Sequence, residues 1–167
     1  MSALLSRFRW TLCVACLLLF VAPFSLATVS AAAPTVGLSA EEQAVWTLIA
    51  NARAAAGLPP QPIDAPLTAL ARARAADMAM RHYFAHASPD GTTFLDLMPG
   101  YGIAGQLAGE TIQENNYADS PVEAARALIA SPEHHAILFD PRFTIAGVGH
   151  AVGVDGIHYF TMIVVQP

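Results

Sequence analysis

From residue 39 onward, apolar positions recur every three or four residues, the spacing that places side chains on one face of a helix. The first run predicts a helix over 40–56, because Ser39 and Glu42 form a capping box at its start and Gly57 follows its end. The second run predicts a helix from about Asp64 to about Tyr83. Its buried stripe consists of Leu67, Leu70, Ala71 and Met78. The solvent-facing side of this second helix is expected to carry Arg72, Arg74 and Arg81.

Two Ser-Pro pairs mark further helix starts, because serine caps a helix and proline suits its first position. Ser120-Pro121 predicts a helix over 121–130, and Ser131-Pro132 predicts a short helix over 132–138 with His134 in its first turn. Between these helices and the earlier pair, the turn residues 88–91 and the glycine-spaced stretch 99–109 predict a pause in regular structure of about 20 residues.

The pattern after Arg142 changes to β-branched and glycine-rich residues, which are typical of strands. The runs 143–154 and 157–166 predict a hairpin with a two-residue turn at Asp155-Gly156. A further strand is predicted from Glu110 to Asn115. Both alternating sets of residues are largely apolar in the last strand, so we expect helices on both sides of a small antiparallel sheet, an α/β fold of the α+β type.

The N-terminal segment has the three-part layout of a secretory signal. Arg7 and Arg9 precede an uncharged run over 10–24, and small residues follow over 26–33. The continuous apolar stretch is shorter than the roughly 20 residues that span a bilayer as a helix. We predict a signal peptide over 1–31 with cleavage within 27–33, a linker over 32–38, and one domain over 39–167. The mature protein is then secreted, extracellular or periplasmic, without a stable membrane span.

Removal of the signal changes the composition. The whole chain has 167 residues and is 54% hydrophobic, and both of its cysteines lie in the signal. The mature chain keeps 6 arginines against 13 acidic residues, a net charge of −7, and has no lysine. This charge argues against a nucleic-acid partner, which requires a cationic face. The missing cysteine and lysine exclude thiol and lysine nucleophiles.

Histidines and carboxylates therefore remain as the candidate reactive groups. His82 and His86 are four residues apart, but Tyr83 stands where a zinc-binding His-Glu-x-x-His motif has glutamate. Glu110 leaves a glycine-rich segment at the start of a predicted strand. His134 lies at the positive end of a helix, which favours the neutral imidazole that a metal requires. From the residues alone, His134 is either a metal ligand or an ordinary surface group at a helix start.

Four segments in order identify a resemblance. They are Tyr83-Phe84-Ala85-His86-Ala87-Ser88-Pro89-Asp90-Gly91, Ala108-Gly109-Glu110-Thr111, Ser131-Pro132-Glu133-His134-His135 with Asp140-Pro141-Arg142-Phe143, and Gly147-Val148-Gly149. Together they resemble a bacterial CAP (SCP-like) domain from about Glu41 to the C-terminus. The resemblance implies a three-layer α-β-α sandwich with a cleft where two histidines and two acidic residues converge.

Residue by residue, the resemblance implies a cleft formed by His86, Glu110 and His134. It also implies a divalent ion, zinc by analogy, held by the imidazoles of His86 and His134. Thr111 departs from the family pattern, which has asparagine after the glutamate. The second acidic position is not assigned: Glu133 is a candidate cleft residue, and its other interpretation is a favourable charge at a helix N-terminus.

Three functional hypotheses follow. The resemblance favours a non-catalytic binding module for a small apolar ligand, such as a lipid or sterol, or for a cell-envelope component. The first alternative is a metal-assisted, peptidase-like hydrolase in which His86 and His134 hold a zinc-activated water and Glu110 acts as general base. The second is a structural or stress-related envelope protein with a vestigial cleft. We expect a monomer, with zinc as the candidate cofactor and no organic cofactor.

Overall fold

The computed structural model describes residues 37–167. The predicted signal peptide and residues 32–36 of the linker lie outside the described residues. The helices are α1 (Ala40–Ala55), α2 (Ala65–Arg81), α3 (Phe94–Leu97), α4 (Ser120–Ala130) and α5 (Pro132–Leu138). The strands are β1 (Leu107–Asn115), β2 (Ile145–Val152) and β3 (His158–Gln166). None of the helices in this range is long and apolar enough to cross a membrane.

The three strands form one antiparallel sheet in the order β1-β3-β2. The central strand, β3, is buried along almost its whole length, as its two apolar faces predict. Phe160, Met162 and Val164 pack with residues of α1, α4 and α5 on one side. Ile163 and Val165 pack with residues of α2 on the other. The predicted three-layer α-β-α sandwich is confirmed, and each large apolar side chain buried in it contributes about 1.5–3 kcal/mol.

Two glycines of β2 allow α2 to lie directly on the sheet. A Cβ at Gly147 would stand 2.2 Å from the carbonyl carbon of Leu67, and a Cβ at Gly149 would stand 2.2 Å from that of Ala71. Since real side chains do not approach backbone atoms so closely, only glycine fits at either position. The Gly147-Val148-Gly149 segment therefore sets how closely α2 packs, which in turn places the side chains of α2 relative to β1.

The start of α1 is fixed by the predicted capping box. The Ser39 N–H donates to the Glu42 carboxylate at 2.8 Å, and the Glu42 N–H donates to the Ser39 hydroxyl at 3.2 Å. The guanidinium of Arg72 also donates to the Glu42 carboxylate, at 2.6 and 2.8 Å. Burial alone would raise the pKa of Glu42, but the Arg72 and Ser39 hydrogen bonds outweigh it and hold this pKa below its usual 4.5. The capping group thus also ties α1 to α2.

Two local predictions were wrong. The stretch predicted to be irregular contains α3 and a 3-10 turn over Met98–Tyr101. The N-terminus of α3 is capped because the Thr93 N–H and hydroxyl both donate to the Asp96 carboxylate. The hairpin loop is also longer than predicted: Gly153 and Ile157 form its closing hydrogen bond, and Gly156 adopts a left-handed φ of 78°. This is a three-residue loop with a glycine bulge, a common alternative to the two-residue turn.

Candidate functional site

Glu110 lies on β1 and its side chain points towards α2, where it is 1% exposed. Arg74 of α2 donates from Nε to Oε1 of Glu110 at 2.9 Å, and the Arg74 side chain is also 1% exposed. The prediction that Arg74 covers a solvent-facing side of α2 was therefore wrong. The helical spacing of the sequence did indicate that position 74 is buried, because this position lies on the same face of α2 as Leu67, Leu70 and Met78.

The guanidinium of Arg74 uses four of its five N–H donors inside the protein. Besides the bond to Glu110, it donates to the Tyr83 hydroxyl at 2.9 Å and to the carbonyls of Ala85 and His86 at 3.0 and 2.9 Å. A planar guanidinium offers its donors in a fixed fork, so these acceptors are held at fixed positions relative to one another. Arg74 thus positions both the Glu110 carboxylate and the backbone that carries His86.

His86 follows α2 and reaches the second oxygen of Glu110. Its Nδ1 lies 2.8 Å from Oε2 of Glu110, while the His86 side chain is 56% exposed. Because a carboxylate paired with arginine accepts hydrogen bonds, Nδ1 of His86 carries the proton. In the neutral ring, Nε2 then keeps its lone pair for another partner. The buried pair of Arg74 and Glu110 therefore presents a half-exposed imidazole in one tautomer and one orientation.

His134 lies in the first turn of α5, where the Ser131 hydroxyl caps the helix by accepting from the His134 N–H at 3.4 Å. The pKa of His134 is lowered, first by burial and then by the nearby imidazole of His86, while Glu133 opposes the shift. The predicted loss of proton affinity is thus present, although burial rather than the helix end is its main cause. Glu133 itself is exposed in the first turn of α5, the position of a favourable helix-start charge.

The family model of the Cysteine-rich secretory protein family, CAP, matches residues 46–165. The chain belongs to the CAP family. Protein YkwD of Bacillus subtilis (strain 168), described as uncharacterized, is 36% identical over 113 residues, which are 68% of this chain and 43% of that protein. The resemblance inferred from the four sequence segments is confirmed.

Solved CAP structures share the fold. An extracellular protein containing a SCP domain from Bacillus anthracis str. Ames is 25% identical with a TM-score of 0.66, covering 80% of this chain and 45% of that one. An outer surface protein from Borrelia burgdorferi is 19% identical with a TM-score of 0.69, covering 78% of this chain and 96% of that one. The chain thus spans less than half the length of YkwD and of the Bacillus anthracis protein.

The zinc ion that the CAP resemblance implies would have to be held by the side chains of this cleft. Within residues 37–167, no group of three or more histidine, cysteine or acidic side chains is arranged to hold a metal ion. Both oxygens of Glu110 are engaged by Arg74 and His86, so this carboxylate stands behind the imidazole rather than at an ion. The donors that fit zinc are the imidazole nitrogens of His86 and His134, with water left to complete the four ligands.

A cavity of about 440 Å³ lies beside this cleft, between α2 and the segment 88–101. Its lining includes Ala73, Ala76, Met80, Leu97 and Tyr101, and Arg74 forms part of its wall. His86, Glu110 and His134 do not line it, so the predicted cleft and this cavity are neighbours rather than one space. The cavity could not be predicted from the sequence. The small side chains of Ala73 and Ala76 form one wall, but the opposite wall comes from α3 and the 3-10 turn, which were predicted to be irregular.

Proposed function

We propose that this protein is an exported CAP-domain binding module rather than an enzyme. It holds a zinc ion through His86 and His134 and binds a small apolar or envelope-derived ligand beside it. The observation that carries the proposal is the double engagement of Glu110, whose side chain is 1% exposed and bonded at both oxygens. A general base must reach the water that it activates, whereas this carboxylate is closed off by protein groups.

The zinc part of the proposal rests on the orientation of His86. A carboxylate that accepts from one ring nitrogen fixes the tautomer of a histidine and makes the other nitrogen a better metal ligand. Glu110 does this for His86 at 2.8 Å. The lowered pKa of His134, caused first by burial and then by His86, keeps that imidazole neutral at neutral pH. Zinc bound there would keep its remaining positions for water.

The ligand part rests on the cavity beside α2. Its volume of about 440 Å³ lies within the range of small-molecule sites, roughly 300–1,000 Å³. Met80, Leu97 and Tyr101 give it apolar surface, which suits a small apolar molecule or part of a lipid or sterol. The charged side chains of Asp77, Arg81 and Asp90 also line it and would face a polar part of the ligand. Arg74 lines the cavity and donates to Glu110. The side chains of Arg74 and Glu110 therefore lie between a ligand in the cavity and the His86 imidazole.

Export is supported by the signal-like pattern of residues 1–31 and by the nature of two structural relatives, described as an extracellular protein and an outer surface protein. The activity, partners and location of this chain are proposals, because YkwD and the Bacillus anthracis protein are more than twice as long as the part it matches.

One observation favours the hydrolase alternative. An exposed imidazole oriented by a buried carboxylate is also the arrangement of a histidine general base. In that case the base is His86, and Glu110 orients it. Glu110→Gln would then abolish an activity that the wild-type protein shows against a panel of peptides, esters and glycans. A wild-type protein without activity on the whole panel supports the binding module.

The test of the proposed function is native mass spectrometry of the purified protein together with elemental analysis of its metal content. We expect a retained small apolar molecule and near one equivalent of zinc. The variant His86→Ala/His134→Ala should lose the zinc, whereas the control His135→Gln, which changes an exposed histidine of the same helix, should keep it. Zinc that persists in the double variant contradicts the metal site, and protein that retains no small molecule contradicts the ligand assignment.

A further inference from the structure

Two histidines that the CAP cleft does not use face each other across the hairpin. His150 is on β2 and His158 is on β3, where the register pairs His150 with Phe160 and Val152 with His158. The two histidines are therefore diagonal neighbours on one face of the sheet, a pairing within reach of long side chains. Both side chains are half-buried. The ring of His150 also stacks on Phe160, with centroids 4.5 Å apart.

The two imidazoles meet nitrogen to nitrogen. Nε2 of His150 lies 2.9 Å from Nδ1 of His158, and the ring planes differ by only 19°. In the neutral pair one of these nitrogens carries a proton and the other accepts it, so the contact is an N–H···N hydrogen bond. A metal ion can take the place of that shared proton, because a change of tautomer in the donor ring moves the proton to its other nitrogen and leaves a lone pair on each of the two neighbouring nitrogens.

The surrounding charge favours a cation. The carboxylate of Glu41, in the first turn of α1, interacts electrostatically with both His150 and His158. The neighbouring Glu42 also interacts electrostatically with His150, although its carboxylate is paired with the Arg72 guanidinium at 2.6 Å. The carboxylate of Glu41 attracts a cation to the two imidazoles.

This pair is separate from the cleft on two counts. His150 belongs to β2, at the opposite edge of the sheet from β1, which carries Glu110. Its partner Phe160 belongs to the cluster on the side of α1 and α4, whereas Glu110 points towards α2. A ligand at His150 and His158 therefore does not touch His86 or the residues behind it.

We propose that His150 and His158 form a second metal site, which binds a divalent copper ion through Nε2 of His150 and Nδ1 of His158. The observed separation of 2.9 Å is that of the N–H···N hydrogen bond, and it shows that the two nitrogens are near enough to reach one ion once the rings turn. We choose copper(II) because it binds nitrogen donors more tightly than the other common divalent ions.

Binding needs a limited rearrangement. The rings now point their nitrogens at each other, so both turn about their side-chain bonds until the two lone pairs converge on the ion. The ring that donates the shared proton changes tautomer, so that the proton moves through water to its other nitrogen and both rings stay neutral. Water fills the remaining positions of the copper ion. His150 and His158 lie on adjacent strands whose backbones are joined by the ladder of β2 and β3, so the two ring positions remain close.

The experiment uses the full protein carrying His86→Ala/His134→Ala, which removes the cleft imidazoles. Copper(II) chloride is titrated by calorimetry, and the copper is examined by electron paramagnetic resonance. We expect one equivalent of tetragonal copper with hyperfine coupling to two nitrogens. His158→Gln in this background should weaken binding by at least about tenfold, equivalent to ~1.4 kcal/mol. The matched control His135→Gln should leave binding unchanged.

Copper that fails to bind the double variant overturns the proposal, as does copper coupled to fewer than two nitrogens or binding that His158→Gln leaves unchanged. Circular dichroism establishes that each variant is folded. Should His158→Gln not fold, the nitrogen count in the folded parent decides the question. The result is independent of the zinc and ligand measurements, because the protein tested here lacks His86 and His134.

Discussion

Replacing Glu110 by glutamine tests whether the buried ion pair holds the site together. The substitution keeps the size of the side chain but leaves the Arg74 guanidinium, 1% exposed, without its negative partner. The partners that remain are neutral, a tyrosine hydroxyl and two backbone carbonyls. Breaking a fully buried pair by removing one charge costs about 3–5 kcal/mol, because the other charge stays buried. We expect a loss of this size for Glu110→Gln and for Arg74→Met.

The assay is urea unfolding at equilibrium, followed by circular dichroism for wild type, both single variants and the double variant Arg74→Met/Glu110→Gln. The double variant no longer buries an unpaired charge, so its loss should be smaller than the sum of the single losses by about 2 kcal/mol. Arg126→Met is the control, because Arg126 is 71% exposed and its pair with Glu123 is worth under about 1 kcal/mol. Additive losses, or a loss as small as that of the control, would refute the reasoning.

Three further predictions concern packing and protonation. Gly149→Ala should cost at least ~2 kcal/mol in urea unfolding, because its Cβ would meet the backbone of α2 at 2.2 Å, while Gly100→Ala, with open space around it, should cost much less. By nuclear magnetic resonance, His134 should titrate below 6.5, and His86→Ala should raise its pKa because one of the lowering charges is removed. The lowered pKa of Glu42 stabilises the protein above pH 4.5, and this contribution disappears as the pH falls through the folded-state value. Acid unfolding of Glu42→Gln should therefore depend less on pH between about 5 and about 3; an unchanged dependence would contradict the assignment.

Elements whose boundaries depend on local chemistry were predictable from sequence. The Ser39 and Glu42 capping box and the Ser131 cap specify helix starts through neighbouring backbone N–H groups. The prediction that Ser120 caps α4 was wrong, because Ser120 is the first residue of the helix and its hydroxyl forms no capping hydrogen bond. The predicted bounds of α5 match the structure, and those of α1, α2 and α4 differ from it by at most two residues at either end. The helix α2 ends at its C-cap, His82, which adopts a left-handed φ of 52°, close to the predicted end near Tyr83.

Features that depend on distant contacts were not predictable in the same way. Arg74 was assigned to solvent from its charge, and its burial follows from a carboxylate 36 residues away. The hairpin register is a second case. A two-residue turn at Asp155-Gly156 would place His150 opposite Thr161, on the other face from His158. The additional loop residue shifts the register by one and brings both histidines to the same face.

The cleft was found by resemblance, and its internal arrangement came from the structure. Composition left histidines and carboxylates as the candidate groups, and the family motif selected His86, Glu110 and His134 among them. The motif did not indicate that Glu110 would be buried against Arg74 and would face His86 with its other oxygen. That arrangement changes the expected role of Glu110 from a base to a positioning residue.

The central claim is that Glu110 presents His86 to a zinc ion shared with His134. Nuclear magnetic resonance of the imidazole nitrogens during a zinc titration tests it most directly, because it reports each nitrogen separately. The account predicts that Nε2 of His86 and one nitrogen of His134 shift together and saturate near one equivalent, while Nδ1 of His86 keeps its proton and His135 does not shift. Zinc that binds through Nδ1 of His86, or that leaves the signals of His86 and His134 unchanged, would contradict it.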